Sequence, residues 1–265
     1  TRLSQSDTMQ SRWGTHGDYV AIALAASSVQ ETYDTTLRAF RLAERFSTPV
    51  IMLLDELIGN MQEKVVLHEA GNTVAVQRRY PEIPPEWYVP YKQSLDMVAH
   101  PAPLGKGFRY NITGLVHDNS GFPTAVPHEI NERLESLRNK IMMHSQEIWD
   151  WREYYTGDAR YLIIGYGSAA RAARGAVEAL RKKRVKAGLM DLKTIWPFPF
   201  RPLAQLAERA GVKAVVVAEN NMGQLIHSVR EALPHSVAVR GANHYDGHCL
   251  DVSMITNAVK ETIYA

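Results

Sequence analysis

One cysteine, Cys249, stands in the whole chain of 265 residues. A lone thiol cannot close an intrachain disulfide, and it cannot by itself hold an iron–sulfur cluster. A reducing, cytoplasmic setting is expected, with any redox cluster on another chain. Long apolar runs are missing too. The best of them, residues 19–26 and 49–54, fall far short of the ~20 residues of a membrane-spanning helix. A dominant charge is absent: 30 Lys and Arg against 28 Asp and Glu leave +2. Bulk electrostatics therefore give no route to nucleic acid or an anionic membrane surface, and neither is expected as a partner. The first residue is not Met, and a polar loop with chemistry-bearing side chains stands at the very start. Such loops are usually held by scaffold on both sides. The sequence is accordingly expected to be the C-terminal part of a longer polypeptide.

That loop, residues 1–18, carries Arg2, Arg12, His16, Asp7, Asp18, several hydroxyls and two glycines. It feeds an apolar run at 19–26 that reads as a buried strand. Polar, Gly-punctuated loops at strand ends are where α/β enzymes place their chemistry. Arg2 offers a planar fork that grips carboxylates. Beside Thr15, Arg12 and His16 it is a candidate binder of an organic acid, against the plainer reading of a solvated arginine. His16, between Thr15 and Gly17, is a candidate acid/base group or a structural histidine. Asp7 and Asp18 need do no more than bond the loop backbone.

Further along, Ser28 with Glu31 three residues on predicts a capping box opening a helix. Val29, Tyr33, Leu37, Phe40 and Ala43 mark its expected inner face. Thr48-Pro49 ends it, a buried strand over 50–54 follows, and this strand–helix–strand unit implies a parallel sheet. Asp55 and Glu56 come next, either as helix-starting residues or as ligands. A short edge strand is expected at 64–67. Prolines then cluster from 68 to 107, and Tyr80, Trp87, Tyr88 and Tyr91 suggest that this connector packs on a surface. A strand or hairpin is expected at 108–116, and one long helix over 128–152. From about residue 160, strands and helices alternate through a second parallel sheet and close on a helix at 250–264.

Three motifs in this second half have competing readings. Gly165-Tyr166-Gly167-Ser168-Ala169-Ala170 between a strand and a helix fits a dinucleotide fingerprint, with Asp191 ending the next strand. Any tight strand-to-helix turn needs the same glycines, so a loop role is the plainer account. His244, Asp246, His248 and Cys249 are dense enough to suggest metal, yet their spacing matches no zinc pattern and no metal is assigned. Trp196-Pro197-Phe198-Pro199 reads as a rigid buried turn.

Several longer strings are more specific. SQSDTMQSRWGTHGD, SSVQETYDTTLRAFRLAERFSTPVIMLLDE, EKVVL, ITGLVHDNSGFP, GYGSAARAAR, TIWPFP and ENNMGQL occur in this order. Together they resemble the α subunit of the 2-oxoacid:ferredoxin oxidoreductases, most closely the 2-oxoglutarate branch, over nearly the whole chain. The resemblance implies an α/β fold. Residues 1–67 would be the C-terminal part of a pyrimidine-type thiamine diphosphate domain. Residues 68–159 would be an extended connector and long helix, and 160–265 a transketolase C-terminal-like domain, whose GxG turn binds no dinucleotide. It implies oxidative decarboxylation of a 2-oxoacid with coenzyme A, or the reverse. Thiamine diphosphate, Mg²⁺ and an iron–sulfur cluster would lie mainly on a β subunit, with γ or δ subunits and ferredoxin as further partners. It also implies that Arg2, in the stretch Thr1 to Asp7, meets the substrate carboxylate. Arg12, Thr15 and His16 remain candidates beside it. The family's upstream half, with the glutamate that activates the thiamine aminopyrimidine, is missing from this sequence. Rival readings are the same chemistry on branched-chain 2-oxoacids or pyruvate, a non-catalytic assembly module, and a nucleotide-binding dehydrogenase built on Gly165 and Gly167.

Overall fold

A computed structural model describes residues 2–69, 78–92 and 94–264; Thr1 of the N-terminal motif and part of the connector lie outside these. Two sheets share one run of chain. Strand β1 (Ile22–Ala25) leads into helix α2 (Val29–Phe46) and the parallel strand β2 (Val50–Leu53), preceded by the one-turn helix α1 (Gln10–Trp13). A short helix α3 (Glu56–Asn60) follows. After the connector come α4 (Pro127–Met142), α5 (Ser145–Ile148) and strand β3 (Trp151–Tyr154). The second unit runs β4 (Tyr161–Gly165), α6 (Gly167–Lys182), β5 (Ala187–Leu192), β6 (Thr194–Trp196), α7 (Phe200–Ala210), β7 (Ala214–Glu219), α8 (Leu225–Ala232), β8 (Ala238–Asn243) and α9 (Val252–Tyr264). The five-stranded sheet has the order β3-β5-β4-β7-β8, parallel except for β3. The three-stranded sheet has the order β2-β1-β6, with β6 antiparallel to β1.

Only Lys193 separates β5 from β6. One extended stretch therefore leaves the larger sheet and completes the smaller one. The TIWPFP segment is buried as expected, but its first half is a strand. Trp196, Phe198, Ala23 and Ala25 join Leu162, Ile164, Met190, Leu203 and Leu206 in the main core between the two sheets. A second core lies where α6 and α9 cover the opposite face of the larger sheet, through Ala169, Ala173, Val177, Ile255 and Val259. Among the described residues no helix is long and apolar enough to cross a membrane.

Local predictions fail where two patterns compete. Helix α2 buries Glu31, Thr35, Ala39, Leu42 and Phe46, while Phe40 from the expected inner stripe is 69% exposed. Both stripes have helical spacing. The real one begins with two polar residues, and that hid it. The Ser28 hydroxyl accepts from the Glu31 N–H as a cap should, but the Glu31 carboxylate turns to the Ser27 N–H and to Lys193. The helix expected over 128–152 stops at Met142, and its last residues become strand β3 against β5. No strand forms at 64–67; the Gln30 amide instead pairs with both backbone groups of Val66, doing the work of a neighbouring strand. The hairpin expected near 108–116 is reduced to one bridge, His117 with Pro123. The connector does pack: Val98 and Ala102 are buried, and the Tyr88 and Tyr110 hydroxyls bond backbone groups of His100 and Ala102.

Candidate functional site

The N-terminal loop is fastened to the second unit by one buried amide. Gln5 donates its N–H to the Asn220 carbonyl and accepts the Asn220 N–H on its side-chain oxygen, each at 2.9 Å. Its side-chain nitrogen donates to the Tyr166 carbonyl at 2.9 Å and to Asp55 Oδ2 at 3.1 Å. Its own carbonyl accepts from Asn221 Nδ2, Thr8 Oγ1 and the Tyr166 hydroxyl. Gln224 holds the next turn, donating to the Ser6 carbonyl and accepting the Met9 N–H. Trp196 Nε1 donates to the Thr8 carbonyl at 2.8 Å and to Ser11 Oγ at 3.0 Å. A loop of this kind has its backbone over-determined, and side chains it leaves exposed are presented from a rigid base.

A small cavity of about 90 Å³ lies under this loop, lined by Ser4, Asp7, Thr8, Met52, Leu53, Leu54, Asp55 and Tyr166. It sits at the C-terminal end of β2, where open α/β sheets carry their sites. A wider open groove of about 770 Å³ runs between α7 and the segment 146–153, past Trp149, Trp151 and Arg201. Its most enclosed acid, Glu153, is already bonded to Trp151, Thr156 and Arg209. None of the four loop candidates lines that groove.

The four candidate residues occupy separate places on the rim. Arg2 is exposed and packs its aliphatic stem against Gly247 of the 244–248 loop. Arg12 lies over Trp13 and Trp196, with its guanidinium carbon 4.4 and 4.9 Å from their rings. Burial lowers its pKa, Glu231 opposes that shift, and a guanidinium stays charged regardless. Thr15 and His16 are exposed in the turn after α1, where the Thr15 N–H donates to the Tyr19 hydroxyl at 3.3 Å. Among the described residues, no hydrogen bond or ion pair joins any two of the four.

The glycine-rich turn after β4 is closed from inside. Asp55 Oδ2 accepts from the Ser168 N–H at 2.8 Å, and its Oδ1 accepts from the Ile58 N–H at 3.1 Å, so one carboxylate caps both α6 and α3. A Cβ at Gly167 would stand 2.5 Å from Asp55 Oδ2. A helix N-terminus attracts phosphate through its unpaired N–H groups, and here the Asp55 carboxylate already holds that of Ser168 and would repel an anion. Asp191, the acid a nucleotide ribose would need, is buried against Lys193. The nucleotide-binding reading of Gly165 and Gly167 therefore finds no cradle. The same device recurs. Glu219 accepts the N–H groups of Gln224, Leu225 and Ile226 at the start of α8, and Glu63 accepts that of Val29 at the start of α2.

These contacts include residues to which sequence reasoning gave no role, namely Gln5, Tyr166, Glu219, Asn220, Asn221 and Gln224, although all lie within its quoted strings. The detectable signal was a polar run, Glu219 to Gln224, directly after a strand of unbroken apolar residues.

Residues 1–136 match the family model of the pyruvate flavodoxin/ferredoxin oxidoreductase thiamine diphosphate-binding domain. The chain belongs to this family. Residues 159–255 match the pyruvate:ferredoxin oxidoreductase core domain II, so both halves agree in order. The 2-oxoglutarate synthase subunit KorA of Methanothermobacter thermautotrophicus is 42% identical over 231 residues, covering 87% of this chain and 60% of that protein. KorA of Methanocaldococcus jannaschii is 41% identical over 230 residues, with 86% and 60% covered. A ketoisovalerate oxidoreductase subunit VorB of Methanothermobacter marburgensis is 29% identical over 251 residues, with 94% and 62% covered. The chain thus spans about three-fifths of the length of these relatives. Among solved structures, 2-oxoglutarate:ferredoxin oxidoreductase from Magnetococcus marinus, with 2-oxoglutarate, coenzyme A and succinyl-CoA bound, superposes with a TM-score of 0.85 at 25% identity, covering 99% of this chain and 46% of that one. The α/β fold with a thiamine-binding-type first domain, expected from the sequence, is the fold of this family member.

Proposed function

We propose that the chain is the thiamine-facing portion of the α subunit of a 2-oxoglutarate:ferredoxin oxidoreductase. The assembly would convert 2-oxoglutarate and coenzyme A to succinyl-CoA and CO₂, passing electrons to ferredoxin, or run in reverse. The observation that carries this reading is the clamped loop, which is rigid at Gln5 and Thr8 and yet offers Arg2 with no ion-pair partner among the described residues. The 40–42% identity to three KorA subunits, against 29% to the VorB subunits, favours 2-oxoglutarate over a branched-chain acid.

Thiamine diphosphate fits this chain in part. The cavity under the loop has room for the edge of a ring and not for a whole cofactor, since sites for ligands of that size are about 300–1,000 Å³. Ser4, Asp7, Thr8 and the 52–54 segment would face the ring. A diphosphate would meet Asp55, Glu63 or Glu219 at the starts of α6, α2 and α8. Diphosphate and Mg²⁺ are therefore assigned to a β subunit, with the iron–sulfur cluster that the single Cys249 cannot carry. When bound, thiamine diphosphate supplies the carbon nucleophile for the keto group and the sink for the electrons left when CO₂ departs.

The residues of this chain bind and align. The Arg2 guanidinium grips a substrate carboxylate through two charge-assisted hydrogen bonds and so orients the keto carbon. If it gripped the departing carboxylate too tightly, it would oppose decarboxylation, because that charge leaves as CO₂. Arg12 and Thr15 are assigned to further substrate contacts, and His16 to proton transfer at the rim. In the complete complex, Arg2→Ala should raise KM for 2-oxoglutarate about 10- to 100-fold, with thiamine affinity unchanged. Unchanged 2-oxoacid kinetics would remove Arg2 from the site. A panel of 2-oxoglutarate, 2-oxoisovalerate and pyruvate would then decide the side-chain preference.

A further inference from the structure

The loop between β8 and α9 brings together three of the four side chains whose density in the sequence suggested metal although their spacing matched no zinc pattern. His244 Nε2 lies 2.9 Å from Asp246 Oδ1, and His248 Nδ1 lies 3.1 Å from the same oxygen. All three donor atoms fall within 4.8 Å of one another. The loop is pinned at both ends. The His244 N–H donates to the Glu219 carbonyl at 3.2 Å, and the Leu250 N–H donates to Asn220 Oδ1 at 2.9 Å. Gly247, at φ +91°, folds the chain back so that His248 returns to Asp246.

We infer that His244, Asp246 and His248 form a binding site for a divalent first-row transition ion. Two imidazoles and one carboxylate are a donor set that such ions accept, with positions left open to solvent. Nitrogen and oxygen donors bind Zn²⁺ at about 2.0–2.2 Å, and donors now about 3 Å apart across shared hydrogen bonds need only small rotations to turn onto one ion. A neutral imidazole can shift its proton to the other ring nitrogen, so the ion can replace the hydrogen bond without charging the histidine. The anchors on Glu219 and Asn220 keep the two histidines on one side, which lowers the ordering cost of binding. The neighbouring thiol of Cys249 is left out, because it donates to the Leu250 carbonyl. The ion would also stiffen the loop against the stem of Arg2, which touches Gly247.

The test is a titration of the tag-free protein with Zn²⁺, followed by calorimetry, and with Co²⁺, followed by its visible absorption. One equivalent should bind, with a Co²⁺ spectrum that reports nitrogen and oxygen ligands without a thiolate band. His244→Ala, Asp246→Asn and His248→Ala should each weaken binding at least about tenfold, while the exposed control His235→Ala should not. Imidazole resonances of the wild type should shift for two histidines together, a readout that needs no variant. Absence of binding tighter than about millimolar, or binding unchanged in all three variants, would overturn the site. None of these readouts involves 2-oxoacid turnover, so the outcome is independent of the proposed function.

Discussion

The two sheets differ in how completely this chain covers them. In the five-stranded sheet, β5 and β7 are buried at every position, with α6 and α9 on one face and α7 and α8 in the core on the other. In the three-stranded sheet only β1 and the three residues of β6 are buried throughout; β2 is an edge strand with Ile51 38% exposed and Leu54 just beyond it 40% exposed. The closed sheet caps α8 with its own Glu219 and takes Asp55 from the end of β2 to cap α6. The open one carries the loop, whose Arg2 has no ion-pair partner among the described residues. Scaffold and proposed chemistry are thus divided between the sheets, and the crossing at Lys193 joins them.

That crossing is the place to break the division with the largest effect. Lys193 Nζ is 2.5 Å from Glu31 Oε2, 2.6 Å from Asp191 Oδ2 and 2.9 Å from Ser27 Oγ, all nearly out of water. Arg152 adds a second cation at the mouth, 2.7 Å from Glu31 Oε1. Burial raises the Asp191 pKa, and Lys193 pulls it back. Lys193→Met should destabilise the protein by about 3–5 kcal/mol in denaturant unfolding, because it strands the buried Asp191 carboxylate and leaves Glu31 with Arg152 alone of its two cations. Adding Asp191→Leu should restore a good part of that loss, since a well-packed apolar replacement for a buried ion pair can be neutral. If the single variant cost under about 1 kcal/mol, the joint would not depend on charge.

The same contrast explains what could be read without coordinates. Strand–helix alternation after residue 160 was legible because β4, β5 and β7 are apolar runs bounded by helix signals. The identity of the buried face of α2 was not, because Glu31 and Thr35 are buried and the Lys193 that pairs with Glu31 lies 162 positions away in sequence. For the loop, Arg2 and His16 could be named from residue type alone. Gln5 could not, since an uncharged amide reveals its role only through the five partner residues that the fold brings to it. Asp55 was legible as a helix start, but its second duty, closing α6, depends on a contact across 113 positions.

A smaller effect is expected at the rim. A Cβ at Gly247 would come 2.8 Å from Arg2 Cδ and 3.0 Å from Arg2 Cβ, at a backbone angle that side chains rarely adopt. The Arg2 stem must then shift. Gly247→Ala should raise KM for the 2-oxoacid several-fold, less than Arg2→Ala does. It should cost about 1 kcal/mol of stability and leave the Lys193 cluster intact. A variant with wild-type KM would show that Gly247 does not position Arg2.

The smallest effect belongs to the connector, which binds the open sheet's helix from outside. Asp96 lies 2.9 Å from Arg45 Nη1 on α2 and accepts the Val98 N–H at 3.2 Å and the Ser94 hydroxyl. Burial alone would raise its pKa. The Ser94 hydroxyl, the Arg45 guanidinium and the Val98 N–H outweigh it and hold the value at about 2. A carboxyl whose folded pKa lies below its unfolded one stabilises the fold above the unfolded value, and that contribution fades as pH falls through the folded value. The window here runs from about pH 4 down to about pH 2. With partial solvent screening the contribution is about 1 kcal/mol. Stability measured across that window should therefore fall less steeply in Asp96→Asn than in the wild type, and the two should differ most near neutral pH. Parallel curves would mean that Asp96 is paired equally well in the unfolded chain, and its charge would then contribute nothing to holding the connector.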